Sequence, residues 1–180
     1  MILMPHKIAK GLVQVYTGNG KGKTTAALGL ALRAVGKGLN VYMIQFMKGD
    51  IEYGEITAAK KMENFEIIQM GRPDFVDKNN PADIDIELAN EALEHATVIL
   101  ASEKYDIVIL DEINVAMDWK LIEVDKVIEL IKIKPEHIEL VLTGRYAPQV
   151  IIDIADLVTE MIEIKHPYND GIEARDGIEH

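Results

Sequence analysis

Short stretches with apolar centres recur along this chain at residues 12–17, 39–46, 65–70, 105–112, 138–145 and 157–165. Their length and near-continuous apolar character predict strands that are buried on both faces. Between them the apolar residues change to a helical spacing. The good helix formers of 23–35 predict a first helix, that spacing predicts others over 84–103 and 124–133, and 52–62 and 147–155 are expected as shorter ones. Gly36-Lys37-Gly38 closes the first helix, Asp83 stands where it can cap the third, and Pro135 stops the fourth. Residues 113–119 suit a helix whose N-cap would be one of the acids before it. Residues 71–81 form a polar loop rich in turn formers. Strands alternating with helices predict an α/β fold, a mostly parallel sheet with helices on both faces. Ligands of such sheets sit beyond the carboxyl ends of the strands. Three unusual sequences fall there: the glycine-rich run 18–22, the pair Asp111-Glu112, and Thr143-Gly144-Arg145.

Composition narrows the partners. The chain has 180 residues, 48% of them hydrophobic, enough for a single core. We expect an amino-terminal arm at 1–10 and one nucleotide-binding domain at 11–180. The formal charge is −11, and no basic stripe of the kind that binds nucleic acid is visible. No apolar run reaches the ~20 residues of a membrane span, and the first eleven residues do not have the form of a secretory signal. Without cysteine there is no disulfide framework and no thiolate chemistry. A cytoplasmic protein with neither nucleic acid nor membrane as partner is the expectation. Against this acidic background the lysines at 21 and 23 are a local exception.

The sequence Gly18-Asn19-Gly20-Lys21-Gly22-Lys23-Thr24-Thr25 follows a predicted strand and opens a predicted helix. It is a variant P-loop. Aligned on Gly22-Lys23-Thr24, the first glycine of the usual pattern falls on Thr17, and Gly18 comes one residue late. The chemistry tolerates the shift. Glycines permit positive φ and bring backbone N–H groups against phosphate oxygens, and the helix N-terminus favours negative charge. Lys23 can reach the phosphates, Lys21 adds a second cation, and the Thr24 hydroxyl can ligate magnesium. Asp111 and Glu112, at the end of a buried strand, can hold that metal directly or through water. Arg145 lies at another carboxyl end, where a functional role is expected. Arg33 stands in the helix after the loop, as a ligand contact or as a side chain reaching out to solvent. The eight methionines read as core gap-fillers, Trp119 as packing, and the five histidines lack metal-ligand spacing.

The pieces "GLVQVYTGNGKGKTTAALG", "IQFMKG", "IVILDEI", "LVLTGR", "ADLVTEM" and "KHPYNDGIEARDGIEH" together resemble the P-loop ATP:corrinoid adenosyltransferases over nearly the whole chain. The resemblance implies a P-loop NTPase-like, RecA-like fold. It also implies transfer of the 5′-deoxyadenosyl group of ATP to Co(I) of a corrinoid, with release of triphosphate, in cobalamin biosynthesis or salvage. The substrates would be ATP and a reduced corrinoid, with Mg²⁺ or Mn²⁺. A flavodoxin-type or other Co(II) reductase and a homodimer are implied too. Carried over residue by residue, Gly18 to Thr25 match the nucleotide site, with Lys21, Lys23 and Arg145 as the catalytic cations. Glu112, beside Asp111, matches the acid associated with the metal, and Arg33 and Arg145 match arginines near the site. Well-known members carry a phenylalanine and a tryptophan in the loop that is 71–81 here, packed on the corrinoid. This chain has Phe75 as the loop's one aromatic residue.

Two other readings use the same residues. A P-loop ATPase or kinase of another pathway would release ADP, with Asp111 or Glu112 as its base. A non-catalytic module would bind nucleotide or corrinoid and release nothing.

Overall fold

In the computed structural model, residues 8–50, 52–74 and 76–179 are described. Most of the amino-terminal arm and Phe75 therefore lie outside the described residues. The strands are β1 (Val13–Thr17), β2 (Val41–Phe46), β3 (Phe65–Met70), β4 (Ile107–Asp111), β5 (Glu139–Thr143) and β6 (Leu157–Glu160). The helices are α1 (Lys23–Val35), α2 (Gly54–Ala59), α3 (Asp83–Ser102), α4 (Ile113–Asp118), α5 (Val124–Ile133) and α6 (Gln149–Ile154), with a short 3₁₀ turn at Pro167–Asp170. The strands pair in the order β3-β2-β4-β5-β1-β6, and every pairing is parallel.

Alternation along each strand divides the core into two layers. Ile107 and Ile109 of β4 face one way, with Val41, Met43 and Val141, against Ala27, Ala31 and Ala34 of α1. Val108 and Leu110 face the other way, with Ile44, Leu140 and Leu142, against Ala92, Leu93 and Leu100 of α3. The alanine stripe on α1 lets its backbone lie close to the sheet. The α1 and α2 layer follows β1 and β2, whereas α3 to α6 follow β3, β4 and β5. Chains therefore diverge to opposite faces beyond β1/β5 and β2/β4, and a crevice opens at their carboxyl ends.

Boundaries depart from the periodicity where tertiary pairing decides them. The last strand stops at Glu160 rather than 165. Its partner β1 ends at Thr17, which registers with Glu160, so no ladder remains beyond it. The chain then turns beneath the glycine loop, with Gly20 N–H donating to the Met161 carbonyl at 2.7 Å. Nor does Asp83 cap α3. The Asp85 carboxylate accepts the backbone N–H of Ala82 at 2.9 Å, reaching back from the third helical position. No helix among the described residues is long and apolar enough to cross a membrane.

Candidate active site

The glycine loop leaves β1 at Thr17 and re-enters regular structure at Lys23, a turn too sharp for ordinary backbone. Gly18 and Gly22 have φ of 95° and 121°. A Cβ on Gly18 would also lie 2.4 Å from the Met161 carbonyl oxygen. The loop is thus pressed onto the chain leaving β6, and larger residues are excluded by conformation and by space. Lys23 starts α1, is buried, and donates to the Gly20 carbonyl at 2.7 Å, so its stem closes the loop on itself. Burial pulls its ammonium below the usual lysine range. Arg145 adds to that, while Glu112 and Asp111 oppose it. Asn19 is exposed at the tip of the loop, and Thr25 is exposed on the first turn of α1.

Asp111, fully buried at the end of β4, is the hub of the site. Its Oδ1 accepts from the Thr24 hydroxyl at 2.8 Å and from the Thr143 hydroxyl at 2.7 Å. Its Oδ2 takes the Lys48 ammonium at 2.8 Å. One carboxylate therefore ties together α1, β5 and the loop after β2. Glu112 is different. It stands in left-handed conformation (φ 64°), its N–H donating to Thr143 Oγ1 at 3.0 Å. Its carboxylate makes no hydrogen bond or ion pair to the described residues. It caps nothing, since α4 has no side-chain cap. Burial and then Asp111 push its pKa up, against the pull of Lys48, Lys23 and Arg145.

Lys48 and Thr17, whose hydroxyl accepts from Ala147 N–H at 3.2 Å, are not singled out by the sequence, and Thr143, noted there beside Arg145, acquires a partner in Asp111. Lys48 carried a usable signal, a lone cation just past the carboxyl end of an apolar strand. The backbone there is held by an unusual crossing: a Cβ on Gly49 would meet the Gly71 carbonyl oxygen at 1.9 Å. The loops after β2 and β3 are in direct backbone contact. Burial alone would push Lys48 down, but Asp111, Glu112 and Glu55 outweigh it and lift its pKa above the usual range.

The remaining predicted residues divide. Lys21 lies on the loop but donates to the Ile178 carbonyl at 2.7 Å and sits 3.8 Å from Glu179, drawing the carboxyl-terminal segment over the loop. Arg145 is exposed, yet near enough for its charge to act on both Lys23 and Glu112. Arg33 is not brought to the loop. It is exposed in the last turn of α1, ten residues past Lys23 and so about 15 Å along the helix. Phe75 lies outside the described residues. His166 Nδ1 accepts from Tyr168 N–H at the 3₁₀ turn.

Two clefts meet at this edge. One, of about 430 Å³, is bounded by Thr24, Thr25 and Leu28 of α1, by Lys48 and Tyr53, and by the carboxyl-terminal segment at Gly177–Glu179. The second, of about 330 Å³, is more apolar. Phe46, Met47, Val76, Val115 and Trp119 line it together with Lys48, Tyr53, Glu112 and Arg72–Asp74. Residues 72–74 and 76 of the polar loop thus form part of the wall of this cleft. Trp119, expected merely to pack, also lines it, and its indole N–H is buried without a partner among the described residues.

A parallel α/β sheet with a glycine loop, a helix-starting lysine and an acidic strand end defines a P-loop NTPase-like protein. Comparison with known proteins supplies the rest. The family described as ATP:corrinoid adenosyltransferase BtuR/CobO/CobP matches residues 9–180. The chain belongs to that family. It is 38% identical to a corrinoid adenosyltransferase of Sinorhizobium sp. over 173 residues, 94% of this chain and 80% of that one. It is 34% identical to the corrinoid adenosyltransferase CobA of Salmonella typhimurium, covering 95% of this chain and 86% of that protein. For a corrinoid adenosyltransferase of Pseudomonas aeruginosa the identity is 35%, with 94% and 84% covered.

Proposed function

We propose that the protein transfers the 5′-deoxyadenosyl group of ATP to the Co(I) of a reduced corrinoid and releases triphosphate. Membership of the family gives the reaction. The observation on the molecule that supports it most is the junction of two unlike clefts, one beside a phosphate loop and one largely apolar. A hydrolase needs the first alone; an adenosyl transfer to a large corrin ring needs both.

The nucleophile in this reaction is the cobalt of the substrate, so the protein supplies none. Its task is to hold C5′ in line with cobalt and to receive the charge of the departing triphosphate. The loop N–H groups, Lys23 and Lys21 suit the phosphates, and Arg145 stands close enough to add to their field. Lys21 exchanges its contact with the carboxyl-terminal segment for a phosphate oxygen.

A divalent cation fits as a companion of the nucleotide. The donors are hard oxygens: the Thr24 hydroxyl, Glu112 with its unshared carboxylate, and Asp111 behind them. No cluster of three or more metal-binding side chains exists among the described residues. The phosphates would therefore complete the coordination of Mg²⁺ or Mn²⁺, which supplies charge neutralisation at the polyphosphate. A homodimer, a separate Co(II) reductase and a cytoplasmic setting complete the reading.

An anaerobic assay with chemically reduced cob(I)alamin, ATP and magnesium tests it. A light-sensitive adenosylcobalamin spectrum with stoichiometric triphosphate is the expected result. Steady formation of ADP with no change in the corrin spectrum would instead make the protein a P-loop ATPase or kinase.

A further inference from the structure

The phosphate loop supplies cations for the triphosphate, whereas the bond that breaks joins the triphosphate to the ribose. The bond that breaks is C5′–O5′. Its electron pair leaves on the oxygen attached to the α-phosphate, while cobalt supplies the pair for the new Co–C5′ bond and passes formally from Co(I) to Co(III). Negative charge therefore develops first on the 5′ oxygen, which has to lie where nucleotide and corrinoid meet. Among the described residues, Lys48 and Tyr53 are the two that line both clefts, and Lys48 is the cation of the pair.

Its position is unusually determined. Lys48 follows β2 through Met47, which has a positive φ of 60°, and the Gly49–Gly71 crossing fixes the backbone beyond it. Nζ is anchored on Asp111 Oδ2 at 2.8 Å and stands 5.6 Å from the centre of the Tyr53 ring. Asp111 in turn holds Thr24 at the start of α1. The ammonium is thus tied to the nucleotide loop through a single carboxylate. Such a cation need not reorganise as charge appears, which is the condition under which electrostatic stabilisation is largest.

We propose that Lys48 is a catalytic residue that stabilises the charge developing on the 5′ oxygen of the leaving triphosphate at the junction of the two clefts. This rests on the adenosyl-transfer reading. No proton moves, since the ammonium acts as a fixed charged donor and triphosphate departs with the electron pair.

Lys48→Met keeps much of the stem and removes the charge. Its kcat for adenosylation should fall about 10²–10³-fold. Its ATP Kd, measured by equilibrium dialysis without corrinoid, should stay within about threefold of wild type, because the interaction belongs to the transition state. Lys48→Arg should recover at least about tenfold of the loss. A Lys48→Met kcat within about threefold of wild type overturns the assignment. So does a loss that appears wholly in ATP Kd, or an arginine variant as defective as the methionine one. If Lys48→Met does not fold because Asp111 is left as a lone buried charge, Lys48→Gln keeps an N–H donor for Asp111 without the ammonium charge. That variant carries the same expected loss and the same overturning result. Wild type is assayed beside them. ADP in place of triphosphate from wild type removes the functional reading itself, whereas active wild type with fully active Lys48→Met removes this assignment alone.

Discussion

The two clefts at the carboxyl edge are built on opposite plans. The nucleotide side gathers most of its chemistry from one continuous segment, Gly18 to Thr25, whose turn, helix start and lysines are neighbours in sequence. The apolar side is assembled from Phe46, Met47, Lys48 and Tyr53 after β2, from Arg72–Asp74 and Val76 after β3, and from Glu112, Val115 and Trp119 after β4. Phosphate has one shape and one charge pattern, so a short, stiff loop can serve it. A large ring needs several walls, and these come from several strand ends. Asp111 joins the two plans, touching α1 on one side and Lys48 on the other.

The sharpest break in this comparison is Lys23→Ala. Loss of the phosphate cation should lower kcat/KM for ATP by about 10³-fold, with corrinoid binding unchanged. Triphosphate release and corrin difference spectra measure the two separately. Near-normal turnover would mean that the loop is not the phosphate site.

Asp111→Ala should damage both sides at once. It strands the largely buried Lys48 ammonium and two hydroxyls, and removing one partner of a buried pair costs about 3–5 kcal/mol. Urea unfolding, with the slope held the same, reads that loss directly. A change below about 1 kcal/mol, the scale of an exposed pair, would show that Asp111 is not the hub.

Gly71→Ala should separate the clefts. A Cβ there would lie 2.6 Å from Lys48 N, so the loops after β2 and β3 must part. Overpacking of this kind costs about 1–3 kcal/mol. Corrinoid KM should rise while ATP Kd stays near wild type, and equal damage to both would contradict the two-plan picture.

The smallest effect is a pH dependence. The pKa of Glu112 is raised in the fold, chiefly by burial and then by Asp111. A raised pKa makes its contribution to stability fully present below the unfolded carboxylate range and lost as pH rises through the folded value. Without nucleotide and with chelator present, Glu112→Gln should therefore melt higher than wild type at pH 7. The gain should vanish below about pH 4, where the glutamate is protonated in both states. A glutamine variant that melts lower at neutral pH would place a cation on Glu112 in the free protein.

Much of the fold was legible because its signals are local. The apolar strand centres at 107–110 and 140–142 pointed to doubly covered strands, and the good helix formers of 23–35, closed by Gly36-Lys37-Gly38, announced α1. Ends were less legible. Whether 161–165 continues a strand depends on whether β1 still offers a partner there, which it does not.

By itself, the sequence determined the α/β class, the glycine loop with Lys21 and Lys23 on it, and the acidic strand end, since each is written in neighbouring residues. Its resemblance to a known family also indicated the chemistry. Only the tertiary structure decided how the acids differ: Asp111 is consumed by Thr24, Thr143 and Lys48, and Glu112 is left unshared. It likewise moved Arg33 away from the loop and brought Lys48 to the meeting of the clefts. The reason is physical. Hydrogen bonds that select one carboxylate over its neighbour run between strand ends dozens of residues apart, and no local pattern records which ends the sheet will place side by side.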